Sequence, residues 1–254
     1  MKVFIINLKQ AEEKRQQMEQ QLTSLGVKDY EFVEAIHGAT LSKEEIAEKV
    51  CDYPECALTL GEIGCALSHI KVYQEMIKCQ ITRAIILEDD VILPQSFVRL
   101  SETLSSTLET SESKVITLGR ANKLTLRKKF FTFDQYGEYT AVTAFGTYAY
   151  AINVAAAKSL ASRLLPIKYE ADMFIHFREN GWLNTFNVLY PQYIRIIDNH
   201  ELYSDIYLER KKFKRKRHDY KKRKLLKERP IMARIKNRVR RLIWKIKQIQ
   251  PKKQ

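Results

Sequence analysis

The chain has 254 residues, 45% of them apolar, with 44 lysines and arginines against 30 acids and only four cysteines. That length and apolar fraction support one large or two small domains around a buried core and exclude a disordered chain. The formal charge of +14 suggests a nucleic-acid binder, yet residues 209–254 hold 22 basic residues against three acids, a net +19, leaving 22 against 27, a net −5, in residues 1–208. The body is mildly acidic, and the excess positive charge belongs to a C-terminal tail. No run approaches the roughly 20 apolar residues that span a bilayer. The run Val3-Phe4-Ile5-Ile6 is too short for a secretory signal. A cytoplasmic protein with reduced thiols is expected, and the spacings of Cys51, Cys56, Cys65 and Cys79 match no paired zinc pattern.

In chain order, residues 2–6 read as a short buried strand and 10–25 as a helix closed by Gly26. The helix's inward stripe is Ala11, Arg15, Met18, Leu22 and Leu25, so Arg15 either snorkels from the margin or is buried with a partner for its five donors. Residues 30–36 form a second strand, giving the strand–helix–strand opening of an α/β protein. Ser42 with Glu45 and Thr59 with Glu62 are two capping boxes. The first opens a helix to about Val50, and the second a long helix whose apolar face is Ile63, Ala66, Leu67, Ile70 and Ile77. Between them, residues 51–58 with Pro54 form a loop. Residues 84–87 are an apolar strand running into Glu88-Asp89-Asp90, and 115–118 another. Residues 130–150 are aromatic-rich and mostly extended, Asn153 caps an alanine-rich helix stopped by Pro166, and 187–190 are a last strand.

The acidic triplet is the most informative local feature. In open α/β sheets ligands bind beyond the carboxyl ends of the strands, where these three side chains would lie. Crowded carboxylates repel unless a cation neutralises them, which invites a hard divalent ion. A solvated acidic turn is the competing reading. The chain has no G-x-G-x-x-G, no G-x-x-x-x-G-K-[ST] and no G-x-S-x-G, which argues against a dinucleotide fold, a P-loop and an α/β-hydrolase. Nucleotide-sugar chemistry is left as the attractive option, because there a metal bridges the diphosphate leaving group.

Four segments together resemble glycosyltransferase family 25, the bacterial lipooligosaccharide glycosyltransferases with the collagen galactosyltransferase domain. They are Val3-Phe4-Ile5-Ile6-Asn7-Leu8 with Arg15 downstream; Leu60-Gly61-Glu62-Ile63-Gly64-Cys65-Ala66-Leu67-Ser68-His69; Leu87-Glu88-Asp89-Asp90-Val91; and Gly146-Thr147-Tyr148-Ala149-Tyr150. They span about residues 2–206. The resemblance implies a GT-A-like single domain over residues 1–208, with a mixed, mainly parallel sheet flanked by helices. It also implies a UDP-sugar donor, Mn²⁺ or Mg²⁺, and inversion at the anomeric carbon.

Carried over, Glu88-Asp89-Asp90 is the acidic metal motif. Asp90 makes the direct contact, and Asp89 or Glu88 holds the ribose or a metal-bound water. Asn7, Leu8 and Arg15 line a uridine pocket completed by Ala35, His37 and Gly38. Ser68 and His69 face the nucleotide or the acidic motif, with a purely structural His69 as the alternative. Gly146, Thr147 and Tyr148 border the sugar and acceptor sites or are core strand residues. Asp172 stands as the general base, with Glu170 or a non-catalytic Asp172 as alternatives, and His200 as a further metal or diphosphate contact or a structural residue.

The tail, residues 209–254, lies outside the resemblance. Residues 210–229 are almost continuous Lys/Arg. After Pro230, Ile231, Ile235, Val239, Leu242, Ile246 and Ile249 recur at helical spacing among basic residues, with Trp244 as an interfacial anchor. A basic amphipathic helix of this kind lies on anionic bilayers, each basic residue near the surface contributing about 1 kcal/mol. The expectation is a hexosyltransferase, for galactose or glucose, acting on a lipid-linked lipooligosaccharide acceptor while held peripherally on the cytoplasmic face of the inner membrane. A nucleic-acid binder working through the tail and a catalytically inactive scaffold are the alternatives. The acidic body offers no basic groove for the first, and the intact triplet speaks against the second.

Overall fold

The computed structural model describes residues 1–144, 146–197 and 205–249; side chains are described for these except at 126–131, 205–209, 236, 240, 241 and 243–249. Strand β1 (Lys2–Asn7) is followed by α1 (Glu12–Ser24), β2 (Tyr30–Glu34), α2 (Lys43–Lys49) and α3 (Leu60–Lys78). Then come β3 (Arg83–Glu88), β4 (Val91–Ile92), α4 (Phe97–Thr107), β5 (Lys114–Thr117), β6 (Ala121–Phe133), β7 (Tyr136–Ala144) and β8 (Ala149–Asn153). The chain continues through α5 (Val154–Ala161), α6 (Phe174–Glu179), β9 (Thr185–Tyr190), β10 (Arg195–Ile196), α7 (Asp205–Tyr220), α8 (Ile231–Lys247) and β11 (Gln248–Ile249).

Nine of these strands form one sheet in the order β11-β6-β7-β9-β5-β8-β3-β1-β2. β1 pairs in parallel with β2 and β3, and β5 with β9, whereas β8, β7 and β11 run against their neighbours. Six strands thus share one direction in a mixed sheet with helices on both faces, which is the α/β, GT-A-like architecture.

Alternation along β1 shows how the layers are made. Val3 and Ile5 enter the core under α1 and α4, with Met18, Leu22, Phe97 and Leu100. Phe4 and Ile6 enter the opposite core, with Ile63, Tyr73, Tyr150, Phe174 and Phe177. Both expected capping boxes form, each with its reciprocal pair of hydrogen bonds, and Asn153 caps α5 by accepting from the Ala156 amide. The extended region is a long β6/β7 hairpin that begins earlier than expected and turns at Asp134, a non-glycine at φ 48°.

The boundary expected at 208/209 is corrected by the structure, because it falls inside α7 and that helix is docked on the body. Arg217, 6% exposed, donates from Nε and Nη2 to the two carboxylate oxygens of Glu170 at 3.1 and 2.8 Å, and to the carbonyls of Cys56 and Lys168 at 2.8 Å each. The Tyr220 hydroxyl donates to Asp52 at 2.7 Å, Leu225 is buried, and Arg229 pairs with buried Glu179 at 2.5 Å. Residues 51–58 are therefore a cradle for α7. Ile249, expected on an amphipathic stripe, instead sits in β11 opposite Leu124 of β6.

Candidate functional site

A cleft of about 890 Å³ opens where the parallel strands β1, β2 and β3 end. Glu88 closes β3, and Asp89 and Asp90 turn the chain into β4. Facing them are the 35–38 segment after β2, the first turns of α3, the 146–148 loop after β7, the 170–172 segment and Arg210 of α7. The second wall depends on two glycines: a Cβ on Gly64 would lie 2.6 Å from the Gly38 amide nitrogen, and one on Gly38 would collide with the Leu60 carbonyl. Close approach of α3 to the 36–38 segment needs both. Ser68, 1% exposed, holds the same contact by accepting from the Ile36 amide at 2.8 Å and donating to the Gly64 carbonyl at 2.7 Å.

The three acids play different parts. Asp89 is clamped by Asn7, whose Nδ2 donates at 2.8 Å, and by Lys14 at 3.3 Å. Glu88 accepts from the Thr147 hydroxyl at 2.6 Å and lies 3.6 Å from His69 Nε2; burial works to raise its pKa, but His69 and Thr147 outweigh it and hold the carboxyl below its ordinary value. Asp90 has a buried Oδ1 with no hydrogen-bond partner among the described residues, and burial together with Glu88 pushes its pKa up to about 6. A buried carboxylate oxygen left unpaired is costly, and its surroundings fit an oxygen-seeking divalent cation.

Across the cleft, Asp172 accepts weakly from the Gly146 amide at 3.4 Å, and burial, reinforced by Glu170, raises its pKa. Glu170 also borders the cleft, but Arg217 and Lys221 overcome its burial and hold it down to about 2. That leaves Glu170 a poor proton acceptor and Asp172 the better one. Arg210 donates from Nε to Glu62 at 2.6 Å, and Glu62 also caps α3.

Leu8, Ala35, His37, Gly38, Ser68, His69, Gly146, Thr147 and Tyr148 all line the cleft as the sequence suggests. Asn7 does so indirectly, through Asp89. Tyr148 is mostly core, its hydroxyl accepting from the Arg120 amide at 2.7 Å. Arg15 is a correction: it lies on the exposed side of α1 with its guanidinium 4.2 Å above the Phe32 ring, and Lys14 takes the place facing the cleft. Met18 and Leu22 are buried as the stripe requires, and at about 100° per residue Lys14 and Arg15 flank them on opposite sides, with only Lys14 toward the cleft. His200 lies outside the described residues. Sequence reasoning missed Lys14, Cys65, Arg120, Asn122 and Arg210 as wall residues. Cys65 carried a signal, one turn before His69 on the same helix face.

An α/β sheet with a carboxylate-lined cleft at the ends of its parallel strands is the arrangement expected of a GT-A-like glycosyltransferase. The family model described as glycosyltransferase family 25 (LPS biosynthesis protein) matches residues 1–175, and the chain belongs to that family. Procollagen galactosyltransferase 1-A of Xenopus laevis is 34% identical over 128 residues, 46% of this chain and 21% of that protein. A glycosyltransferase 25 family member of Aedes aegypti is 27% identical over 202 residues, 72% of this chain and 32% of that protein. Procollagen galactosyltransferase 2 of Mus musculus is 25% identical over 198 residues, 70% and 32%. The chain thus spans a fifth to a third of the length of these relatives. Among solved structures, a Bacillus anthracis chain assigned as a glucose-1-phosphate thymidylyltransferase covers 82% of this chain at 11% identity and a TM-score of 0.41, too distant a likeness to carry an argument.

Proposed function

We propose that this glycosyltransferase moves a hexose, galactose or glucose, from a UDP-sugar to a lipooligosaccharide or lipopolysaccharide acceptor by inverting displacement. The observation that carries the reading is the pairing, across one cleft, of the Asp90 oxygen that has no hydrogen-bond partner among the described residues with the buried carboxyl of Asp172. Leu8, Ala35, His37 and Gly38 form the wall offered to the nucleotide, and Gly146 and Thr147 border the transferred sugar. Asp172, its basicity raised by burial, takes the proton of the acceptor hydroxyl as the new bond forms. The Gly146 amide keeps that carboxylate oriented. Asp90 would hold Mn²⁺ or Mg²⁺, with Glu88 and His200 as the further ligands the resemblance implies; when bound, the ion neutralises charge developing on the departing diphosphate. Arg210 adds a fixed positive charge to the same cleft.

The acceptor reading includes a place. Ile231, Met232, Ile235, Val239 and Leu242 are exposed on α8, from 51 to 72%. They form a stripe about 100° wide on a 3.6-residue helix. Asn237, on the opposite side, is buried and donates to the Glu179 carbonyl at 3.0 Å. The apolar stripe therefore points away from the body, among lysines and arginines, as an anionic inner-leaflet surface requires. Among the described residues no helix is long and apolar enough to cross a membrane. Five of the tail's cations, Arg210, Arg217, Lys221, Lys224 and Arg229, pair with carboxylates of the body.

A screen of UDP release from UDP-galactose, UDP-glucose, UDP-GlcNAc and UDP-GalNAc, with and without Mn²⁺ and with a lipooligosaccharide acceptor, tests the reading. The galactosyl transfer in two relatives' names makes UDP-galactose the first donor to try. Asp172→Asn should then lose roughly 100-fold or more in turnover while UDP binding by calorimetry is nearly unchanged. No release from any donor, or full activity in that variant, defeats the corresponding assignment.

A further inference from the structure

The floor of the cleft holds a cluster of which the transfer chemistry uses only Glu88. Cys65 and His69 are one turn apart on α3, and Glu88 stands opposite at the end of β3; Sγ, a ring nitrogen and a carboxylate oxygen all lie within 4.8 Å of one another. The imidazole is 2% exposed, and its Nδ1 is tied to the Tyr150 hydroxyl at 2.8 Å, which is in turn 2.9 Å from the Tyr73 hydroxyl. That chain sets the ring's orientation and aims Nε2 at Cys65 and Glu88. Nε2 is buried and has no hydrogen bond among the described residues. A histidine held through one nitrogen with the other facing a carboxylate at 3.6 Å, and a thiol close by, is how proteins present imidazole to a metal.

We propose that Cys65 Sγ, His69 Nε2 and a Glu88 oxygen form a second metal site, for Zn²⁺ or a similarly thiophilic ion, which shares Glu88 with the oxygen-ligand position at Asp90 and differs from it in its thiol and imidazole. Zinc bonds of about 2.0–2.3 Å place tetrahedral ligand atoms roughly 3.3–3.8 Å apart. Three protein ligands leave the fourth position open toward the cleft, which Cys65, His69 and Glu88 all line. The thiol is protonated without metal, so binding forms the metal–sulfur bond, breaks S–H and releases one proton to solvent. Imidazole and thiolate select zinc over magnesium or manganese, whereas Asp90 offers only oxygen.

The test uses the full chain stripped with EDTA and titrated with Co²⁺ as a spectroscopic stand-in, then with Zn²⁺ by calorimetry. The expected result is a thiolate-to-cobalt charge-transfer band with intense tetrahedral d–d bands, displaced by stoichiometric Zn²⁺. Cys65→Ser should remove the charge-transfer band, and His69→Gln should weaken Zn²⁺ binding by more than the roughly 10–100-fold that loss of a supporting hydrogen bond costs. The Cys51→Ser/Cys79→Ser double variant should keep the band, and circular dichroism confirms that each variant is folded. No thiolate band in the unaltered chain, or a band that survives Cys65→Ser, overturns the site. None of these readouts needs turnover, so failure here is separate from failure of the transferase reading.

Discussion

Replacing Arg217 with methionine should destabilise the whole protein, because the guanidinium joins α7 to the body at a place neither partner can leave to water. Its two-pronged contact with Glu170 and its donations to the Cys56 and Lys168 carbonyls are all buried or nearly so. Methionine fills much of the volume but strands the Glu170 carboxylate, which then has Lys221 alone, and leaves two carbonyls without their donor. Removing one partner of a buried pair costs about 3–5 kcal/mol, and for a chain of this size each kcal/mol lowers Tm by roughly 2–4 °C. The expected drop is therefore about 6–20 °C by circular dichroism or calorimetry. Glu170 adds a pH signature. Its carboxyl is held down to about 2 from an ordinary 4.5, so it contributes about 3 kcal/mol that is fully present above pH 4.5 and fades as the pH falls toward 2. In Arg217→Met the carboxyl titrates at higher pH and that acid loss begins earlier. Adding Glu170→Gln should restore part of the stability, since the stranded charge is gone. A Tm within 2 °C of the unaltered protein, with an unchanged acid profile, would refute the claim that α7 belongs to the folded body.

Other outcomes follow from the same contacts. Arg210 lowers the Asp172 pKa that burial and Glu170 raise; Arg210→Gln should move the acid limb of kcat to higher pH, and an unmoved limb in a pH–rate profile would separate Arg210 from the base. Gly64→Ala should cost several kcal/mol or prevent folding, because the new methyl meets the Gly38 amide and the Ile36 carbonyl rather than a movable side chain; normal expression and Tm would count against the packing. On vesicles containing anionic lipid, Ile235→Glu with Leu242→Glu should abolish sedimentation at low salt, whereas neutral vesicles should bind neither form; equal binding of both forms to anionic vesicles would remove α8 as the contact.

Much of the scaffold was readable because local chemistry decided it. Ser42, Thr59 and Asn153 announce their helices, and the apolar run before Glu88 announces the strand that delivers the acids to the cleft. Helix α4 was overlooked although Phe97, Leu100, Leu104 and Leu108 recur on one face; that signal is present in the sequence. What could not be read is where one cation among many is spent. Arg217 sits in a run of like residues, and only its partners, 47 positions away at Glu170 and in the 51–58 cradle, distinguish it from a solvated lysine. Arg210 was hidden in the same way. Splitting the chain by charge placed at a domain boundary a segment that tertiary contacts assign to the body.

The two residues of β11 bear on more than the course of the chain. β6 is 13 residues long, and without Gln248 and Ile249 its outer backbone groups at Leu124 and Thr125 would stand at an open edge of the sheet. Unpaired edges recruit other chains. Loss of these two residues alone would leave the buried contacts of α7 in place and lengthen the border that β6 offers to other chains.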